Sequence, residues 1–132
     1  MLELNLQIIG GVLVGLALLH GIFPKYFRWK EELARLSLIN RQMMQVHSFF
    51  LALALFLAGL LCLRSAHLLV STPLGRELCI GLGVFWTARL LVQFFGYSRE
   101  NWRGKGFETA VHLLFIVLWS YFSTVFLLAA WR

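Results

Sequence analysis

The chain has 132 residues, of which 60% are hydrophobic and 14% charged, and it carries a formal charge of +6. One small soluble domain cannot hide that much apolar surface, so the composition excludes an ordinary globular protein. The positive charge would suit nucleic acid, but the basic residues lie in short stretches beside apolar runs, where membrane topology places Lys and Arg, and nucleic acid is not an expected partner.

The apolar residues form four blocks of roughly 18–25 residues, the length a helix rising about 1.5 Å per residue needs to cross about 30 Å of hydrocarbon. The expected fold is all-α: an integral membrane four-helix bundle forming one transmembrane domain over 1–132. Its helices are expected over about 6–23, 41–63, 74–97 and 107–131, with a short amphipathic interfacial helix over about 25–37. No basic segment precedes the first run and no convincing cleavage site follows it, so it reads as a retained helix.

In the first span, Gly11 and Gly15 are spaced as GxxxG with Gly10 beside them, which gives a neighbouring helix a face without side chains to approach. Pro24 ends the span. In the stretch that follows, Tyr26, Trp29, Leu33 and Leu36 share one helical face, while Arg28 with Glu32 and Glu31 with Arg35 form i,i+4 pairs on the other side. Asn40 suits the N-cap of the second span. That span begins with Gln42, Gln45, His47 and Ser48 and then becomes almost pure Leu, Ala and Phe.

Arg64 and His67 mark the opposite interface, and Ser71, Thr72 and Pro73 give a turn followed by a helix with Pro at its first position. The third span offers Gly81 and Gly83 for close packing and holds Arg89 and Gln93 one turn apart inside its apolar segment. After a short basic loop over 98–106, the fourth span has Glu108 and His112 one turn apart near its start, and Trp102 and Trp131 fall close to the two interfaces. The stripe Phe115, Trp119, Phe122 and Phe126 is expected to pack rather than to hold a cofactor. Cys62 and Cys79 lie at similar depth across the second connection and are read as buried thiols.

Counting charge sets the orientation. Lys25, Arg28, Lys30, Arg35, Arg41, Arg99, Arg103 and Lys105 share one side, and only Arg64, Arg76 and Arg132 the other. The expectation is a bacterial-type plasma membrane with both termini outside and the basic loops cytoplasmic.

That topology puts His20, His47, His112, Gln93 and Arg89 in one layer, roughly 5–12 Å below the cytoplasmic boundary at about 1.5 Å per residue. Ionisable groups at such depth face a bundle interior and partner one another. Three imidazoles suit a transition metal such as Zn, Fe or Cu with one position open, Glu108 serving as fourth ligand or as orienter of a ring N–H. Met43 or Met44 would join if the ion were Cu(I). Haem b is the competing cofactor, with two of the histidines as axial ligands. Arg89 and Gln93 would then anchor a lipid-soluble substrate such as a quinone or an acyl chain, in a small metalloenzyme or oxidoreductase.

Two other classes stay open. The chain would act as an accessory subunit of a larger membrane complex or a homo-oligomer, docking through its glycine faces with the histidines as hydrogen-bonded glue. It would alternatively form a small transporter or channel, although the first span carries no acidic residue beyond Glu3. His67, beside Arg64 at the outer face, is read as a solvated interfacial residue outside the site.

Overall fold

The computed structural model describes residues 1–96, 104 and 106–131. The basic loop with Arg99, Trp102, Arg103 and Lys105, the third helix's expected last residue Tyr97, and Arg132 lie outside the described residues.

The elements are α1 (Leu2–Leu19), α2 (Phe23–Tyr26), α3 (Trp29–Glu32), a 3-10 turn (Leu33–Arg35), α4 (Leu38–Arg64), α5 (Ala66–Ser71), α6 (Pro73–Phe95) and α7 (Gly106–Trp131). The protein is all-α, and α1, α4, α6 and α7 are long and apolar enough to cross a membrane. Large apolar side chains such as Phe49, Phe50 and Val117 are exposed along these helices. In hydrocarbon that exposure carries no penalty, because lipid tails are as apolar as the side chains themselves.

Capping groups set the helix ends. α4 begins earlier than the expected Arg41 because Ser37, not Asn40, is its N-cap: the Ser37 hydroxyl accepts the Asn40 N–H at 3.4 Å. α6 starts as expected, with Pro73 in its first turn and the Thr72 hydroxyl accepting the Gly75 N–H at 2.9 Å. α1 stops at Leu19, before the expected Phe23. There the ring Nδ1–H of His20 donates to the Leu16 carbonyl at 2.8 Å, beside the His20 backbone N–H that the same carbonyl accepts at 3.2 Å.

The segment expected as one interfacial helix is a succession of short turns. Its break falls at Phe27 and Arg28, and Arg28 adopts the left-handed conformation at φ 56°. Packed rings hold the bend: His20 lies 4.6 Å from Phe23, Phe23 5.7 Å from Phe27, and Phe27 4.9 Å from Tyr26. The turn changes the charge pairing too. Arg28 donates to Glu31 at 2.6 Å, an i,i+3 pair in place of the expected i,i+4 pairs.

Two compact units emerge, residues 6–66 and residues 1–5 with 67–132. In the first, α1 and α4 meet backbone to backbone. A Cβ added at Gly10 would lie 2.7 Å from the Gly59 carbonyl oxygen, and one at Gly59 would lie 2.8 Å from that of Gly10. The GxxxG residues are not the contact: a Cβ at Gly11 or Gly15 would meet nothing.

In the second unit, α6 packs along α7. Gly83 makes room for Leu127, while Trp86, Trp119, Phe122 and Phe126 are buried. The Tyr121 hydroxyl donates to the Asn5 side-chain oxygen at 2.6 Å, and His67, read as merely solvated, pairs with Glu3 at 2.9 Å. Cys62 and Cys79 are buried and not joined by a disulfide, and the Cys79 thiol donates to the Leu69 carbonyl at 3.8 Å.

The glycine geometry predicts an asymmetry. Gly10→Val should destabilise the detergent-solubilised protein by ~1–3 kcal/mol, the range for overpacking a site whose neighbours are backbone. Gly11→Val should change stability by no more than about 0.5 kcal/mol, the usual outcome for a surface substitution. Thermal melts of both variants check this, and equal losses would refute it.

Candidate functional site

Hydrocarbon offers a buried polar group no water, so each such group needs a partner on the protein. The helical repeat places Trp86, Arg89 and Gln93 on one face of α6 at i, i+3 and i+7, and His112, Phe115, Trp119 and Phe122 on one face of α7. The two faces meet.

Gln93 is 5% exposed and is the hub. Its Oε1 accepts from the Trp119 indole N–H at 3.2 Å and from Arg89 Nη1 at 3.3 Å, and its Nε2 donates to His112 Nδ1 at 2.7 Å. Two N–H donors converge on one amide atom, so that atom is the oxygen; the flipped amide would set its NH2 against both. His112 Nδ1 must then accept, and a neutral His112 carries its proton on Nε2.

Aromatic rings frame the hub. Trp119 stacks on Phe115 at 5.2 Å and 2° and on Trp86 at 4.9 Å and 18°. The Arg89 guanidinium lies 5.3 Å from the Trp119 ring, within cation–π range. Trp86 is 3% exposed and its indole N–H has no hydrogen-bond partner among the described residues. Arg89 and His112 are half-buried. The Arg89 guanidinium, the Nε2–H of a neutral His112 and the enclosed Trp86 indole N–H are all donor groups.

The other expected site residues sit apart from this hub. Glu108 is half-buried in the first turn of α7 and makes no hydrogen bond or ion pair among the described residues. His20 closes α1, while His47 is exposed on α4; both belong to the unit 6–66, whereas Glu108 and His112 belong to the other. Among the described residues, no three or more His, Cys, Asp or Glu side chains are grouped so that they could hold a metal ion. Trp86 and Trp119 were not among the expected site residues. Their spacing carried the signal, since Trp86 is seven residues before Gln93 and Trp119 seven after His112, each on the face already singled out.

Interhelical hydrogen bonds in membranes are worth about 0.6 kcal/mol each on average and up to about 1.7. A double-mutant cycle on Gln93→Leu and Trp119→Phe should return a coupling in that range. Trp86→Phe loses no hydrogen bond, so its cost should be only that of shrinking a buried ring, about 1–3 kcal/mol, with no coupling to Gln93→Leu beyond about 0.5 kcal/mol. A larger coupling between Trp86→Phe and Gln93→Leu would contradict the geometry.

Comparison of the whole chain with known proteins finds no matching family model, no matching curated protein and no matching solved structure.

Proposed function

We propose that this is a membrane-embedded binding protein for a lipid-soluble substrate that presents an acceptor oxygen, either a quinone-type carbonyl or the carboxylate of an acyl chain. The observation that carries the reading is the hub at Gln93, which draws the Arg89 guanidinium and the His112 imidazole together in two helices long enough to cross a bilayer. The roles follow from the bonds. Gln93 orients both the imidazole and the guanidinium, Arg89 supplies charge to an acceptor oxygen, and half-buried Phe115, stacked on Trp119, offers a planar surface suited to a ring or an unsaturated chain. A redox or acyl-group reaction on such a substrate is consistent with this placement.

Thermal melts of detergent-purified protein with a short-chain quinone, a fatty acid and an alkane test the proposal. The oxygen-bearing ligand that fits should stabilise the protein by about 2.7 kcal/mol at a hundredfold excess over its Kd. The alkane should do nothing. Gln93→Leu and Arg89→Met should abolish the shift, and stabilisation that survives both substitutions would sink the proposal.

A cofactor reading rests on a different residue. With its Nδ1–H given to the Leu16 carbonyl, a neutral His20 keeps the lone pair on Nε2, the arrangement in which an imidazole ligates haem or a metal. His20 and His47 would be the ligands, with haem b or a Zn, Fe or Cu ion as the group held. The tautomer assigned to His112 argues against its joining them. Purified protein carrying this group would show a Soret band, or a stoichiometric metal by elemental analysis, lost in His20→Ala; absence of both overturns this reading.

A further inference from the structure

We infer that the segment from Phe23 to Arg41 binds the phosphodiester headgroups of anionic phospholipids. The inference rests on the membrane-spanning character of the long helices and not on the proposed acceptor site, so the two can fail separately.

The charges come first. Lys25, Arg28, Lys30, Arg35 and Arg41 fall within this segment and oppose only Glu31 and Glu32. A continuous helix would pair Arg28 with Glu32 and Arg35 with Glu31 and so neutralise much of that charge. The broken backbone prevents it. With Arg28 left-handed, its guanidinium closes on Glu31 at 2.6 Å, and Lys25, Lys30, Arg35 and Arg41 make no ion pair among the described residues. The short turns thus leave four cations unneutralised beside the start of α4.

Aromatic and aliphatic groups lie between these cations. Tyr26 is 56% exposed and Phe27 52%, Leu36 is 41% exposed, and Leu38 and Ile39 continue the apolar surface onto α4. Trp29 and Leu33 are half-buried and anchor the segment. Rings and aliphatic chains of this kind sit at the depth of glycerol and headgroup, which brings the intervening Lys and Arg level with the phosphates. The occupant is fixed by charge and by this apolar component together. A soluble anion would satisfy the cations and leave Tyr26, Phe27 and Leu36 in water, whereas a lipid covers both.

The test uses the full chain, purified in mixed micelles of equal phosphatidylglycerol and phosphatidylcholine, with retained lipids counted by native mass spectrometry. Wild-type protein should retain phosphatidylglycerol over phosphatidylcholine by about fivefold or more, as screened attraction at several cations implies. Raising salt from about 0.05 M to about 0.5 M should collapse the preference, since the Debye length shortens to a few ångströms. The variant K25Q/K30Q/R35Q should bring the ratio to near one, whereas R64Q/R76Q should leave it unchanged. Inorganic phosphate at millimolar concentration should not compete. A wild-type ratio near one, a preference unaffected by salt, competition by phosphate, or equal effects of the two variants would each overturn the inference. The salt series needs no variant and decides the matter should the triple variant fail to fold.

Discussion

The structure turns on the cost of an unsatisfied polar group in hydrocarbon. Gln93 shows how the chain meets it. A single carboxamide, buried in a helix otherwise rich in Leu and Phe, takes two N–H donors on its oxygen and gives one N–H to an imidazole. Each partner would be expensive alone, and held together they specify how α6 and α7 register along their length. The hydroxyls follow the same rule at shorter range. Ser120, Ser123 and Thr124 each donate to the carbonyl one turn back and so stay within their own helix.

Close packing supplies the second determinant, since apolar side chains gain nothing by leaving lipid for one another and contact must come from shape. Gly10 and Gly59 let two backbones touch, and Gly83 receives Leu127. The long exposed Leu and Phe side chains face outward and contribute solubility in the bilayer. These rules are strained at three places. Trp86 buries an N–H without a partner, Arg89 places a guanidinium against an indole inside a span, and Arg28 takes a left-handed backbone beside a row of cations.

The number and length of the helices, and the all-α character, were legible because an 18–25-residue apolar block has one cheap solution in a membrane. Pro73 after Thr72 located the start of α6 for a similarly local reason. Asn40 misled as a cap because Ser37 offers its hydroxyl three residues earlier, and propensity alone does not rank the two. The interfacial segment misled more deeply. Its apolar spacing and charge pairs both read as one helix, yet ring packing among His20, Phe23, Phe27 and Tyr26 outweighs a few i,i+4 pairs worth only about 0.2–0.5 kcal/mol each.

The sequence by itself determined that this chain has four segments long and apolar enough to cross a membrane and that Arg89, Gln93 and His112 are polar groups within its apolar runs, because hydropathy and the helical repeat are properties of residue order. Tertiary structure decided the rest. Only the packing of α6 on α7 could show that Gln93 takes His112 and Trp119 as partners, that its amide orientation places the imidazole proton on Nε2, and that Gly10 rather than Gly11 or Gly15 is the point of contact. Which of several small residues meets a neighbour, and which nitrogen carries a proton, depends on the rotation of one helix about its axis against another, and that angle is set by contacts between residues far apart in the chain.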